Sequence, residues 1–93
     1  MIVFEWDDNK NTLNKIKHKI SFQEAKSCFY DKEQIAFYDP DHSDKTEERE
    51  LLIGHSNKSR LLIVVYTLRD DKIRIISARK ASKQEAKTYA QGL

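Results

Sequence analysis

Four of the arginines in this sequence are the side chains best suited to chemistry on a phosphate group. A guanidinium group carries its N–H donors in a planar fork that matches two phosphate oxygens at once. Several such groups together would bind a phosphodiester and stabilise the negative charge that builds up on it. The alternative is that each arginine solvates a strand edge and pairs with Asp or Glu. The four are Arg49, Arg60, Arg74 and Arg79, and Lys80 follows the last of them.

The two parts of the chain differ in charge. Residues 1–56 carry 8 Lys and Arg against 12 Asp and Glu, whereas residues 57–93 carry 9 against 3. A basic segment on a chain with a formal net charge of only +2 attracts a polyphosphate such as RNA or DNA, or an acidic protein partner. A solvated basic face without a partner is the alternative that the charge asymmetry leaves open.

The histidines and one tyrosine are further candidates. His18 follows Lys17 at the expected end of the first helix, where the helix dipole favours a cation and proton transfer is possible. A plain capping role is the alternative there. His55 is expected to end a strand at the core rim or in a cleft, and His42 to be solvated in an acidic loop. Tyr66 could stack on a base or donate its hydroxyl group, or it could pack beside its apolar strand neighbours.

Composition excludes several classes of protein. The single cysteine, Cys28, permits neither a disulfide framework nor a thiolate zinc site, and we expect it to be a small packed side chain. No run of residues approaches the ~18 consecutive apolar residues of a membrane span. The first residues also lack the basic region that opens a secretion signal. We therefore expect one cytoplasmic domain over residues 1–93 that does not associate with membranes.

The first part of the chain predicts a strand and two N-terminal helices. Residues 3–6 have the bulky content of a strand, and Asp7 or Asp8 can cap the helix that follows. Ser21 and Glu24 have the spacing of a capping box, which starts a second helix at once. Helical spacing assigns an apolar stripe to each helix: Leu13, Ile16 and Ile20 in the first, and Phe22, Ala25 and Phe29 in the second.

The rest of the chain predicts four strands and one C-terminal helix. A second capping box, at Ser82 and Glu85, begins a helix that continues through Tyr89. The expected order is β-α-α-β-β-β-β-α. A twisted antiparallel sheet with helices packed on one face would bury the apolar stripes, so we predict an α+β fold. The strand-like runs are residues 34–38, 51–55, 61–67 and 73–78.

Alternation along the strands predicts which basic residues share a face. Arg49 shares a face of its strand with His55, and Arg74 shares a face with Lys80. Arg79 has the opposite parity, so it points away from Arg74 unless the strand ends or bulges between them.

Several short segments occur in an order that is similar to a known family. They are Phe4-Glu5-Trp6-Asp7, Asn14-Lys15-Ile16-Lys17-His18, Phe22-Gln23-Glu24-Ala25, Glu47-Glu48-Arg49, Ile53-Gly54, Arg60-Leu61-Leu62-Ile63-Val64-Val65-Tyr66-Thr67 and Ile73-Arg74-Ile75-Ile76-Ser77-Ala78-Arg79-Lys80-Ala81. Together they resemble the BrnT family, the toxin half of a bacterial type II toxin–antitoxin pair, and the last segment is the most specific. Lys19 and Ser59 depart from the pattern, since the family usually has Gly at both positions.

The resemblance implies a RelE-like ribonuclease fold and the cleavage of RNA that stops translation and growth. It also implies a partner, a BrnA-type antitoxin with a ribbon-helix-helix DNA-binding domain. The complex would repress its own operon, so that operator DNA is contacted only through the antitoxin complex. No metal and no cofactor are expected.

Carried onto this sequence, the resemblance implies attack of a ribose 2′-hydroxyl group on the adjacent phosphate. Such a reaction needs a base, a leaving-group acid and cations at the phosphate. The implied proton-transfer residues are Lys17 or His18. The implied phosphate ligands are Arg49, Arg74 and Arg79, and the residues that guide the RNA strand are Arg60 and Lys80. Tyr66 is a further candidate for binding RNA.

Two other functions fit the same residues. One is a catalytically inactive module that binds only its antitoxin or nucleic acid, since no acid–base carboxylate motif is evident. The other is a repressor that binds DNA alone, which is disfavoured because the sequence has neither a helix-turn-helix nor a ribbon-helix-helix pattern.

Overall fold

The computed structural model describes residues 1–41, 43 and 47–92, and within them five strands form one sheet accompanied by three helices. This content confirms the predicted α+β class. His42, for which a solvated loop position was predicted, lies outside the described residues. In chain order the elements are β1 (Phe4–Glu5), α1 (Asp8–His18), α2 (Phe22–Ser27), a 3-10 turn (Cys28–Tyr30), β2 (Ile35–Asp39), β3 (Arg49–His55), β4 (Leu61–Arg69), β5 (Lys72–Lys80) and α3 (Lys83–Gln91).

The strands lie side by side in the order β1-β5-β4-β3-β2. The last four strands form an antiparallel meander. The prediction of an antiparallel sheet was wrong for β1, which pairs in parallel with β5 through Phe4–Ile73 and Glu5–Arg74. Parallel neighbours need a long connection between them, and everything from α1 to β4 supplies it. The first strand of the chain therefore lies beside the last.

Side-chain caps start the three described helices at the positions that the sequence predicts. The capping box of α3 is complete, because the Glu85 carboxylate accepts from the Ser82 N–H at 2.8 Å and the Ser82 hydroxyl accepts from the Glu85 N–H at 3.1 Å. The box of α2 is only half formed, since the Ser21 hydroxyl accepts from the Glu24 N–H but the Glu24 carboxylate turns elsewhere. The N-cap residues are Asp7, Ser21 and Ser82.

Lys19 and Ser59 both adopt a left-handed backbone conformation, with φ of 61° and 60°. Lys19 closes α1, and its N–H donates to the Lys15 carbonyl at 3.0 Å. This conformation favours glycine, because a Cβ atom crowds the following carbonyl. At both positions that depart from the family pattern, the backbone therefore keeps a conformation that is strained for a residue with a Cβ atom.

The core lies between α2 and one face of the sheet. Phe22 and Ala25 are completely buried, so the predicted apolar stripe of the second helix is confirmed for these two residues. Phe29 packs half-buried against the core, but it lies in the 3-10 turn and not in α2. From the sheet, the buried cluster takes Leu52, Leu62, Val64, Tyr66, Ile75 and Ala78.

The predicted apolar stripe of the first helix was wrong in part. Ile20 is buried, but Leu13 is 63% and Ile16 65% exposed, and the buried residue of α1 is Asn14. The Asn14 amide donates to the carbonyls of Ile20 and Ala78, each at 2.9 Å, and accepts from the Ala78 N–H at 3.1 Å. These hydrogen bonds rotate α1 so that its polar side covers the outer edge of β5, beyond the end of the short β1.

A bulge in β5 decides which arginines share a face. Val65 pairs with Ser77 and Tyr66 pairs with Ile75, so one residue of β5, Ile76, has no separate partner in β4. Arg74 and Arg79 then stand opposite Thr67 and Ile63, which have the same parity in β4. The two arginines therefore lie on the same face of the sheet, which is the alternative that the sequence left open.

Candidate functional site

One row of residues crosses all five strands on the sheet face opposite the core. In spatial order it consists of Glu5, Arg74, Thr67, Arg49 and Asp39. Arg49 stands beside Thr67 because the neighbouring pair of these strands is Glu50–Tyr66. Adjacent strands lie about 4.8 Å apart, so the Cα atoms of Arg49 and Arg74 are roughly 10 Å apart with Thr67 between them. We call Arg49, Thr67 and Arg74 the arginine row.

Each arginine of the row contacts a carboxylate at the surface. Arg74 Nη1 lies 3.3 Å from Glu5 Oε2, and Arg49 Nη2 lies 3.2 Å from Glu47 Oε2. Both arginine side chains are 29% exposed. Ion pairs between such exposed groups contribute only about 0–1 kcal/mol, so an incoming phosphate can replace either carboxylate at small cost.

Thr67 fixes the middle of the arginine row. Its side chain is buried, and its hydroxyl group donates to the Glu48 carbonyl at 2.7 Å. This bond ties β4 to the segment that leads into β3. A groove of about 510 Å³ adjoins the row here and is lined by Glu47, Glu48, Glu50, Thr67, Leu68 and Arg69. Its three glutamates repel phosphate, so the groove itself is a poor site for RNA.

Arg79 lies on the face of the arginine row but apart from it. The partners of Arg74 and Arg79 in β4 are four positions apart, which places the two arginines about 13 Å apart along the sheet. The Arg79 fork donates to both carboxylate oxygens of Glu85, each at 2.8 Å. The hydrogen bond from Arg79 lowers the pKa of Glu85 to about 2. Arg79 therefore fastens α3 to β5.

Lys17 and His18 lie at the end of α1, in a second groove at the outer edge of β5. Lys17 is exposed and His18 is half-buried. Ser77 also lines this groove. Because Ser77 pairs with Val65, it lies on the same face of the sheet as the arginine row. The groove thus connects the end of α1 with the edge of that face. It has a volume of about 300 Å³ and is lined by Lys10, Leu13, Asn14, Lys17, His18, Ile76 and Ser77.

Arg60 lies away from the arginine row and forms an ion pair with Glu24 of α2. Its Nε donates to Glu24 Oε2 at 2.9 Å, its Nη2 contacts Glu24 Oε1, and Nη2 also donates to the Lys19 carbonyl at 3.2 Å. Glu24 is only 3% exposed and also accepts from the Ser56 hydroxyl at 2.6 Å. The hydrogen bond from Arg60 lowers the pKa of Glu24 despite its burial. This contact is the structural alternative that the sequence left open for Arg60.

By strand alternation, the core face of the sheet carries two further candidate residues, Tyr66 and Lys80. Tyr66 is 7% exposed and its ring meets the ring of Phe29 edge-on at 5.0 Å. Burial raises the pKa of Tyr66 to about 12. Tyr66 therefore has the packing role named as its alternative. Lys80 pairs with Leu62 at the end of β5, where its side chain is exposed.

A further polar cluster, which the sequence analysis did not predict as a group, joins three distant segments. The Tyr89 hydroxyl donates to Asp31 Oδ2 at 2.7 Å and lies 3.1 Å from His55 Nδ1. The His55 N–H donates to the same Asp31 oxygen at 2.8 Å. Burial and the contact with Asp31 raise the pKa of Tyr89 to about 12. Burial also opposes ionisation of Asp31, but hydrogen bonds from His55, Glu33 and Tyr89 outweigh it and lower the pKa.

This cluster anchors α3 on β3. Asp31, His55 and Tyr89 are too far apart in the sequence for helical or strand spacing to predict their contact. The one sequence signal for the cluster was the alternation along β3, which assigns His55 to a face of its strand. Within the part of the chain that the structure describes, no group of three or more His, Cys, Asp or Glu side chains is arranged to hold a metal ion. No described helix has the length and apolar character that crossing a membrane requires.

The fold is that of a known ribonuclease toxin. The crystal structure of the Brucella abortus ribonuclease toxin BrnT, at 1.1 Å resolution, matches with a TM-score of 0.64 and 23% identity, over 89% of this chain and 100% of that one. A comparison with curated proteins gave no match. The family described as the ribonuclease toxin BrnT of type II toxin–antitoxin systems matches residues 6–85. The chain therefore belongs to the BrnT family of ribonuclease toxins, and a type II system implies an antitoxin partner.

Proposed function

We propose that this chain is a metal-independent endoribonuclease of RelE-like fold that cleaves RNA and thereby arrests translation and growth. The observation that carries the proposal is the arginine row, in which Arg49 and Arg74 flank Thr67 on the sheet face opposite the core. Two guanidinium forks at this spacing match one phosphodiester, because each can donate to a different pair of its oxygens.

The reaction is an internal transfer at that phosphate. The 2′-oxygen of one nucleotide attacks its own 3′-phosphate, which forms a 2′,3′-cyclic phosphate and releases the 5′-oxygen of the next nucleotide. A base takes the proton of the 2′-hydroxyl group and an acid returns one to the 5′-oxygen, so protons balance. Arg49 and Arg74 stabilise the additional negative charge on the phosphorane.

The other assigned residues act at the edge of this centre or away from it. Lys17 and His18, at the edge of the same sheet face, are the proposed proton-transfer pair. Arg79 is a third phosphate ligand, and it would exchange Glu85 for an RNA phosphate further along the strand. Lys80 guides the strand as an exposed cation. Arg60 and Tyr66 support RNA binding through the fold, since one holds α2 and the other fills the core.

The proposal includes the regulation expected of such a toxin. A BrnA-type antitoxin with a ribbon-helix-helix domain neutralises the toxin in the cytoplasm. The complex of the two represses their operon, and operator DNA is bound through the antitoxin. Purified toxin alone should therefore give no sequence-selective band shift with operator DNA, whereas the complex should.

The ribonuclease assay uses purified chain, cellular RNA and a chelator. Wild-type protein should produce fragments with 2′,3′-cyclic phosphate ends. Arg49→Ala and Arg74→Ala should each lower the cleavage rate by about 10²-fold or more, the usual loss when one donor to a developing oxyanion is removed. Lys87→Ala, on the exposed side of α3, removes the same charge and is the matched control.

The outcomes separate the candidate functions. Full activity in a folded Arg74→Ala variant would overturn the arginine row as the site. Intact RNA with folded wild-type protein would favour the inactive binding module, and loss of activity in chelator that returns with added Mg²⁺ would refute metal independence. Induction in bacteria with and without the antitoxin then tests growth arrest and its neutralisation.

A further inference from the structure

Two large apolar side chains of α1 are exposed to solvent instead of packing in the core. Leu13 is 63% and Ile16 65% exposed, and residues three positions apart lie next to each other on a helix surface. Leu13 lines the groove of about 300 Å³ between α1 and β5, into which the bulge brings the half-buried Ile76, and Ile16 lies next to Leu13 outside that lining. We call Leu13, Ile16 and the lining of this groove the α1 surface.

The α1 surface is also basic. Lys10 and Lys17 line the groove, and both side chains are exposed. Among the described residues, no acidic side chain lines the groove. Neighbouring apolar and cationic side chains are complementary to a segment that carries apolar residues on one side and carboxylates beside them.

These features favour a protein over RNA as the occupant. RNA could match the lysines, but it would leave Leu13 and Ile16 in contact with a charged backbone. An amphipathic segment buries both aliphatic side chains, which is the dominant favourable term in association. We propose that the α1 surface is the docking site of an acidic amphipathic segment of the antitoxin.

The position of the surface accounts for neutralisation, a step that rests on the proposed function. Lys17 and His18 line the same groove, so a segment docked there covers the proposed proton-transfer pair. The groove reaches Ser77, which shares the sheet face of the arginine row. The antitoxin would thus block the site from its edge and leave the arginine row itself free of direct contact.

Binding to a purified BrnA-type antitoxin, measured by titration calorimetry, tests the proposal. Ile16→Asp should weaken the complex by about tenfold or more, because it places a like charge against an acidic segment and removes an apolar contact. Leu68→Asp is the matched control, since Leu68 is also 65% exposed but lies at the far end of β4. It should change the dissociation constant by less than about twofold.

A second pair of variants tests the charge. Lys10→Glu should weaken the complex and reduce its dependence on salt, whereas Lys87→Glu on α3 should do neither. Ile16→Ser keeps the test valid if Ile16→Asp fails to fold, and circular dichroism checks each variant. Unchanged affinity in folded Ile16→Asp and Ile16→Ser would overturn the proposal, as would the absence of binding by the wild-type chain.

Two further outcomes would also overturn it. If Ile16→Asp dissociates a dimer of this chain in sedimentation while antitoxin affinity is unchanged, the α1 surface is a contact between copies. If it weakens RNA binding but not antitoxin binding, the surface belongs to the RNA site. Weaker antitoxin binding together with an inactive wild-type protein would support the docking site while the ribonuclease proposal fails, so the two are distinguishable.

Discussion

Replacing Asn14 with Ala should destabilise this domain far more than replacing its neighbour Leu13 with Ala. The Asn14 side chain is 7% exposed and makes three hydrogen bonds to backbone groups of Ile20 and Ala78. Leu13, one position earlier in α1, is 63% exposed. The residue types alone would predict the reverse ranking.

The magnitudes follow from these contacts. A hydrogen bond contributes about 1 kcal/mol net, and a buried partner left without one costs more, so Asn14→Ala should lower the free energy of unfolding by about 3–4 kcal/mol. Ala is the better helix former, so helix propensity opposes this loss and cannot cause it. The total free energy of unfolding of a chain of 93 residues is about 5–14 kcal/mol. Leu13→Ala should stay within about 0.5 kcal/mol.

Urea unfolding followed by circular dichroism measures both variants against wild type. Equal slopes with a shifted midpoint would show that stability, and not the compactness of the unfolded chain, has changed. If Leu13→Ala costs about 2–5 kcal/mol, as truncation of a core leucine does, and Asn14→Ala costs less, then the orientation of α1 described above is wrong.

Other variants test individual contacts. Arg79→Ala should raise the pKa of Glu85 from about 2 toward its ordinary value, read from carboxyl chemical shifts. The stability that Glu85 contributes is present above its unfolded pKa and lost as pH falls toward 2, so the variant should be less sensitive to acid over that range; an unchanged acid profile would contradict the ion pair. Burial raises the pKa of Cys28 to about 12, so its thiol should react with a disulfide reagent only as fast as the domain unfolds. Rapid reaction in native conditions would exclude that burial. Lys19→Gly should raise the free energy of unfolding by up to about 1 kcal/mol in the same urea assay, because glycine adopts the left-handed backbone conformation of this position without strain. A lower free energy of unfolding would show that the lysine side chain contributes more stability than the strain costs.

Local signals predicted most of the elements. The three helix starts follow from the side-chain oxygens of Asp7, Ser21 and Ser82, which act within one turn of themselves. The meander follows from alternating strands with short connections. The rotation of α1 could not be predicted, because it depends on hydrogen bonds from Asn14 to Ala78, 64 positions away.

The candidate site was predictable in its residue types and only partly in its geometry. Arg49 and Arg74 were singled out, but their positions on either side of Thr67 depend on a strand register that sequence does not show. The common face of Arg74 and Arg79 depends on the bulge at Ile76. The engagement of Arg60 with the buried Glu24 depends on packing between residues 36 positions apart.

The pairing of the first strand with the last has a consequence for synthesis of the chain. Glu5 and Arg74, joined in one ion pair, are separated by 69 positions, so the end of the arginine row cannot form until β5 has left the ribosome. At a synthesis rate of about 5–20 residues per second, the nascent chain therefore spends several seconds without that end of the row. The arginine row therefore cannot be complete before Arg74 has been synthesised.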